Sequence, residues 1–173
     1  MAQGSVGGMV EEVYAELRRV ADGYVRRERA KSVQASDLVH DVYMRLKKDA
    51  NLQWQSRSHF VAIAAIAMRR LLVERARARG ATKRGGQNVQ VTLEEGLLVG
   101  GEDKPAPIDL IGLDQALGKL AELDPLQSRI VELRYFGGLS VDETAEALDI
   151  SAATVKRHWT VAKAYLLREL GGA

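Results

Sequence analysis

Residues 137–159 constrain this chain more than any other segment, because they have the pattern of two short helices joined by a tight turn. Ser140 and Glu143 form a Ser-x-x-Glu capping box that starts the first helix. Asp149 lies in the turn, and Ser151 starts the second helix. The pattern predicts a helix-turn-helix, a motif that places its second helix in the major groove of double-stranded DNA.

The second helix of this motif has one apolar face and one basic face. Its inward positions follow helical spacing and are Val155, Trp159, Ala162 and Leu166. Its outward positions are Ala152, Ala153, Lys156, Arg157, Thr160 and Lys163. Small and basic residues on the outer face favour entry into a DNA groove. The same pattern also describes a helical hairpin with a solvated basic face, so the motif alone leaves both interpretations open.

The composition predicts an all-α protein, because the chain has only three prolines and 5% aromatic residues. It has no cysteine, which excludes disulfides, thiolate metal sites and thiol nucleophiles. Its three histidines are scattered along the sequence and form no cluster of metal ligands with carboxylates, so we expect neither a metal nor a cofactor. No apolar run is long enough to span a bilayer, and the N-terminus lacks a signal-peptide core. We therefore expect a cytoplasmic protein without membrane insertion.

The chain contains a cluster of basic residues, although its net charge is only +2. Its members are Arg69, Arg70, Arg75, Arg77, Arg79, Lys83 and Arg84, opposed only by Glu74. Such a local excess of positive charge predicts a phosphate-binding face. A solvated helix end is the alternative interpretation.

Helical periodicity predicts a first domain over residues 9–86, with helices at about 9–29, 36–48 and 59–79. Ser36 is the expected N-cap of the second of these helices.

A flexible linker is predicted over residues 87–107, which contain glycines, prolines and acidic side chains. Residues 90–94 alternate weakly, like a strand, but no partner strand is evident. A second helical domain follows over residues 108–171. In it, Asp124 as N-cap and Pro125 at the first position start a helix. The predicted fold is therefore two small helical bundles joined by a linker, the second ending in the helix-turn-helix.

In this order and spacing, the motifs resemble a bacterial sigma-70 family sigma factor, and the small two-domain size resembles its extracytoplasmic-function (ECF) group. Residues 36–46 are similar to the family's acidic helix, and residues 60–79 to the promoter-reading helix of its region 2. The stretches that match the region-4 pattern lie within residues 124–156. The resemblance implies a non-enzymatic factor that binds core RNA polymerase, directs it to minus-10 and minus-35 promoter elements and promotes DNA melting.

The resemblance assigns candidate residues to three surfaces. Asp37 and Asp41, at i,i+4 on one helix face, are the expected polymerase-docking carboxylates, although Asp37 also suits a helix N-terminus. The expected minus-10 contacts are Trp54, Arg69, Arg70, Arg75, Arg77 and Arg79. The expected minus-35 contacts are Thr154, Lys156, Arg157, Lys163 and Arg134. Trp54 is either exposed or core, whereas Phe60 and Trp159 are expected in the core.

The expected partners are core RNA polymerase and promoter DNA, both double-stranded and melted, and the family also admits an anti-sigma factor. The alternative function is a stand-alone helix-turn-helix regulator that binds operator DNA, with the first bundle as a dimerisation or sensor domain. The pattern also leaves open whether the two domains tumble independently or pack together and occlude their DNA faces.

Overall fold

The structure is a computed structural model, and it describes residues 4–5, 10–27, 33–49, 51–82, 89–92 and 107–171. The α-helices are α1 (Val10–Arg27), α2 (Ala35–Lys47), α3 (Arg57–Thr82), α4 (Leu110–Leu123), α5 (Pro125–Val131), α6 (Val141–Leu148) and α7 (Ala152–Gly171). A π-helical segment (Glu132–Phe136) continues α5. Two antiparallel pairs of short strands complete the fold: β1 (Gly4–Ser5) with β2 (Gln53–Trp54), and β3 (Gln90–Thr92) with β4 (Pro107–Asp109). The predicted all-α fold is confirmed.

The first helical group consists of α1, α2 and α3, which pack on one another. Leu17 of α1, Leu38 of α2 and Met68 of α3 are fully buried in this packing. The prediction that Ser36 caps α2 is wrong. The helix begins at Ala35, which is buried, and its N-cap is Gln34, whose side chain makes no capping hydrogen bond. Burial of Ala35 extends the helix beyond the serine, which then lies exposed in the first turn.

The second helical group consists of α4, α5, the π-helical segment, α6 and α7. Its helix starts are set by local side chains, as predicted. The Asp124 carboxylate accepts the backbone N–H of Gln127 at 3.1 Å, and Pro125 opens α5. Ser140 and Glu143 form both hydrogen bonds of the capping box.

The turn between α6 and α7 is also as predicted. Asp149 adopts the left-handed conformation with φ 53°, which aspartate tolerates better than most residues. The Ser151 hydroxyl accepts the backbone N–H of Thr154 at 3.1 Å and so caps α7.

The strand β3 pairs with β4, although the sequence suggested no partner for this segment. In the β3–β4 pair, Val91 lies opposite Ile108, and Val91 is fully buried. The two ends of the predicted linker, residues 87–107, therefore lie side by side, while residues 93–106 are outside the described part of the chain. The partner was missed because a three-residue strand is too short to show an alternating pattern.

The two helical groups pack against each other through α3, which contacts α4, α6 and the π-helical segment. Gly137, just after that segment, lies close to α3: a Cβ at this position would lie 3.2 Å from the Ala65 Cβ, and also 2.5 Å from the Leu133 carbonyl oxygen of its own group. Gly138 follows with φ +65°, a conformation that glycine adopts readily. Of the two arrangements that the sequence left open, the structure has the packed one.

The capping box of α6 should contribute measurably to stability. Ser140→Ala should lower the free energy of unfolding by about 1 kcal/mol, because the backbone N–H of Glu143 loses its acceptor. Urea denaturation followed by circular dichroism measures this change. Ser36→Ala is the matched control and should change stability by less than about 0.5 kcal/mol, since Ser36 is not the N-cap. Equal losses in the two variants would contradict this difference between the helix starts.

Candidate nucleic-acid interface

The outer face of α7 presents exposed basic side chains. Lys156 and Arg157 are exposed, whereas the opposite face of α7 is buried against the second helical group. The buried residues are Val155, Trp159, Ala162 and Leu166, as predicted. Two adjacent cations on a helix whose other face is anchored can reach base edges or phosphates of duplex DNA.

Three further predicted minus-35 residues surround this face, and all of them also support the helix-turn-helix itself. The Thr154 hydroxyl lies 2.8 Å from that of Ser151. The Arg134 guanidinium stacks on the Trp159 ring at 4.2 Å from its centroid, and the Lys163 ammonium lies 5.9 Å from the same centroid. The Arg134 contact ties the π-helical segment to α7, whereas the Lys163 contact lies within α7.

Arg134 is half-buried, and burial lowers the pKa of its guanidinium from the ordinary value. Its Nε donates to the Leu139 carbonyl at 3.4 Å, at the start of the helix-turn-helix. In this arrangement Arg134 positions α7, and its predicted phosphate contact stays a prediction.

His158 also lies on α7, with its Nδ1 3.6 Å from an Asp124 carboxylate oxygen. That nitrogen is buried and makes no hydrogen bond in the structure.

The arginines of the basic cluster on α3 differ in their exposure and in the carboxylates that they contact. Arg70 is exposed. Arg69 and Arg77 point to the second helical group, where both contact the Asp114 carboxylate. Arg75 forms an ion pair with Asp41 of α2. Arg79 lies near the end of α3, while Lys83 and Arg84 are outside the described residues. The spacing of the cluster gave no indication of these acidic partners.

Of the two interpretations that the sequence left open for Trp54, exposed or core, the structure has the core one. The residue is 7% exposed and packs against Phe60, with ring centroids 4.8 Å apart and ring planes tilted by 55°. The strand β2 directs the ring inward, although polar neighbours in the sequence suggested an exposed loop. Phe60 and Trp159 are both buried, as predicted. A cavity of about 590 Å³ lies beside Trp54 and Phe60, between α1, the start of α3 and α6.

The two predicted docking carboxylates lie on α2. Asp37 is exposed and stands in the first turn, whereas Asp41 is partly buried beside Arg75. One turn further, Arg45 donates to the Glu74 carboxylate on α3 at 3.1 Å. The hydrogen bond with Arg45 lowers the pKa of Glu74, and the same bond raises the pKa of Arg45. Asp41 and Arg45 of α2 thus each form an ion pair with α3, to Arg75 and to Glu74.

Sequence reasoning missed the residues that connect the two helical groups near the helix-turn-helix. Arg57, at the start of α3, donates to Glu16 of α1 at 2.5 Å and to Glu143 of α6 at 2.7 Å. The next residue, Ser58, donates its hydroxyl to the Glu146 carboxylate at 3.2 Å. Each partner is 41 to 88 residues away in the chain, and no local pattern signals such a contact.

The side chains of Arg57 and Glu143 favour their charged forms in this contact. Hydrogen bonds to Glu16 and Glu143 raise the pKa of Arg57. Burial tends to raise the pKa of Glu143, but hydrogen bonds from the Ser140 backbone N–H and from Arg57 outweigh it, so the net pKa of Glu143 is lowered.

Among the described residues, no group of three or more His, Asp or Glu side chains could hold a metal ion. In the same part of the chain, no helix combines the length and the apolar character that a bilayer-spanning segment needs.

A family model described as ECF sigma factor matches residues 3–172. No curated protein matches the sequence. One similar solved structure is the co-crystal structure of the sigma factor RpoE in complex with the anti-sigma factor NepR from Bartonella quintana. It is 19% identical, with 94% of each chain covered and a TM-score of 0.42, so the family assignment rests on the family model.

The lowered pKa of Glu143 predicts a pH-dependent contribution to stability. Because the folded pKa lies below the unfolded one, the contribution is present above the unfolded pKa and is lost as pH falls through the folded pKa. Glu143→Gln should therefore destabilise the protein at pH about 7 and have a smaller effect at pH about 3. Thermal unfolding of both proteins at the two pH values measures this difference.

Glu122→Gln serves as the control for removal of an exposed carboxylate. A Glu143→Gln effect that is the same at both pH values would contradict the assigned ion pair and capping bonds.

Proposed function

Because the chain belongs to the ECF sigma factor family, we propose that it binds core RNA polymerase, directs it to minus-10 and minus-35 promoter elements and promotes melting of the minus-10 DNA. Sigma factors are transcription initiation factors rather than enzymes. The observation that carries the proposal is the capped helix-turn-helix with a basic outer face on α7, within a chain that matches the family along almost its whole length.

The minus-35 element is the proposed ligand of α7. Lys156 and Arg157 stand on its exposed face and supply donors for base edges or phosphates. Thr154 and Lys163 flank them, and Arg134 supports the helix because its guanidinium stacks on the Trp159 ring. Phosphate contacts set the register of the helix, and base contacts supply sequence preference.

The minus-10 element is the proposed ligand of α3. Separated DNA strands have a high density of phosphates, and arginines stabilise them by charge and by bidentate hydrogen bonds. Arg70 is exposed for this role. Arg69 is largely buried beside the Asp114 carboxylate and reaches DNA only after it leaves that carboxylate, whereas Arg77 is mostly exposed beside the same group. The proposed minus-10 contacts also include Arg75 and Arg79 of α3. Trp54 lies in the core near the start of α3.

Core RNA polymerase is the proposed partner of α2. Exposed Asp37 and partly buried Asp41 lie on one helix face and fit a basic partner surface. An anti-sigma factor is a further partner that the family resemblance predicts.

A stand-alone regulator is the rival function, and gel filtration separates the two. A sigma factor co-elutes with core polymerase and supports promoter-dependent transcription. Operator binding without either property would overturn the proposal in favour of the regulator.

Removing the two exposed cations of α7 should separate promoter recognition from polymerase binding. Lys156→Ala with Arg157→Ala should reduce minus-35-dependent transcription by about 10-fold or more, because each cation contributes donors to the DNA. Affinity for core polymerase should stay unchanged in a fluorescence binding assay. Arg18→Ala with Arg26→Ala, two exposed arginines of α1, is the charge-matched control. Equal loss of transcription and of polymerase affinity would refute the assigned division of roles.

Reversing a charge on α2 should weaken polymerase binding. Asp41→Arg should lower core affinity about 10-fold. Because this variant also places a cation beside Arg75, Asp37→Arg is tested in parallel and should lower affinity without that repulsion. Circular dichroism verifies folding, and Glu122→Arg on α4 is the control. Unchanged affinity in both α2 variants would remove this face from the docking surface.

A further inference from the structure

The imidazole of His158 on α7 has a buried nitrogen, Nδ1, that makes no hydrogen bond in the described structure. A carboxylate oxygen of Asp124, at the junction of α4 and α5, lies 3.6 Å from this nitrogen. We propose that His158 is a positioning residue for DNA recognition: in its protonated form it pairs with Asp124 and fixes α7 relative to α5. This inference rests on the proposed function, since it assumes that α7 binds duplex DNA.

The Asp124 carboxylate is held in a fixed orientation by the start of α5. Its Oδ1 accepts the backbone N–H of Gln127 at 3.1 Å, and its Oδ2 accepts the side-chain amide of the same residue at 2.9 Å. Oδ2 is also the oxygen that lies beside the His158 Nδ1. The separation of 3.6 Å is too long for a hydrogen bond, and a closure of about 0.7 Å gives the length of a charge-assisted one. The acceptor is therefore in place, and the imidazole has to supply the donor.

The charge of the imidazole decides whether this hydrogen bond forms. A neutral imidazole has one N–H donor, and its other nitrogen is an acceptor, which a carboxylate does not attract. A protonated imidazole is a cation that donates from both nitrogens, so Nδ1 of His158 then donates to Oδ2 of Asp124. Imidazoles change charge between about pH 5 and about pH 8, which makes the contact responsive to pH.

The charges around the imidazole link its protonation to DNA binding. Asp124 faces it from the α4–α5 junction, and no other carboxylate of the described residues lies within ion-pair distance of its nitrogens. The cations on or beside this part of α7 are Lys156, Arg157, Lys163 and Arg134. These cations disfavour a further positive charge in the free chain, and the phosphates of bound DNA offset them. Bound DNA and the protonated form of His158 therefore favour each other.

The place of His158 on α7 suits a positioning role. By helical spacing, His158 and Lys163 border the buried face of α7 on opposite sides, each about 70° from its centre. On the Lys163 side, cation–π contacts to Trp159 already hold the helix. The pair with Asp124 adds a restraint on the other side and so limits rotation of α7 about its axis. The exposed Arg157 then keeps one direction, and a preorganised donor binds DNA more tightly than a mobile one.

The test is a double-variant cycle in the full chain. His158→Gln removes the imidazole charge, and Asp124→Asn removes the charge of its partner while it preserves an N-cap, since asparagine also caps helices well. The double variant completes the cycle, and His40→Gln, at an exposed histidine of α2, is the matched control. The probe is a fluorescent duplex enriched from a random pool by the unmodified chain. Fluorescence anisotropy measures its affinity at pH about 5.5 and at pH about 8.

The unmodified chain and the control should bind the duplex about 5-fold more tightly at the lower pH, the effect of one partly exposed ion pair. His158→Gln, Asp124→Asn and the double variant should each show a pH effect of less than about 2-fold. A pH effect that persists in Asp124→Asn, or that is missing from the unmodified chain, would overturn the inference. Circular dichroism verifies folding at both pH values, and either single variant decides the outcome if the other unfolds.

Direct binding of protonated His158 to a phosphate is the rival explanation, and the salt dependence of affinity separates the two. One more phosphate contact makes the slope of log affinity against log salt steeper by about one at the lower pH. A positioning role leaves this slope the same at both pH values. A steeper slope in the unmodified chain at the lower pH would therefore reject the positioning role in favour of direct contact.

Failure of the proposed function is distinguished by a measurement without DNA. Nitrogen-15 spectra of the imidazoles report protonation of Nδ1, and the His158 signal is identified by its loss in His158→Gln. Asp124→Asn should change this signal at the lower pH. If the random pool yields no bound duplex, the DNA function of α7 fails and the positioning role fails with it, whereas the spectra still show whether the pair forms. If a duplex binds without the pH effect, only the role of His158 fails.

Discussion

The pairing of Arg69 with Asp114 and Glu132 is the interaction on which the arrangement of the molecule depends. It joins α3 to α4 and to the π-helical segment, and it lies in a contact that also contains the close approach of Gly137 to Ala65. Charged groups at this depth require partners, so the contact favours one relative placement of the helical groups. Cations of α3 that we propose as DNA contacts thereby also contribute to how the chain packs.

The helix-turn-helix is built mainly from local interactions, in contrast to this contact. The capping box at Ser140, the left-handed Asp149 and the cap at Ser151 each involve residues within three positions of one another. Arg134 adds a support from outside the motif by stacking on Trp159. A recognition helix supported on its inner face keeps Lys156 and Arg157 in a defined direction, which sequence-specific contacts to a duplex require.

Whether a feature could be predicted from the sequence depended on how far apart in the chain the interacting residues lie. The turns at Asp124 and Asp149 were predictable because the determining side chains are adjacent in sequence. Ser36 failed as a cap because burial of Ala35, a tertiary effect, extends the helix beyond it. Trp54 was ambiguous because polar neighbours indicate exposure, while packing on Phe60 decides its burial. The partners of Arg57 lie on distant helices, and a single sequence contains no signal for them.

Local patterns in the sequence were sufficient to predict the all-α class, the helix-turn-helix, the basic cluster and the family, because helical periodicity, caps and charge runs are properties of neighbouring residues. The packing of the two helical groups through α3, the contacts of Arg69 and Arg77 with Asp114 and the pairing of Arg75 with Asp41 became visible in the folded chain alone. The physical reason is that a charge is visible in sequence, whereas its partner is selected by the packing of apolar surfaces. Those surfaces come from helices far apart in the chain, and their contact sets which opposite charges meet.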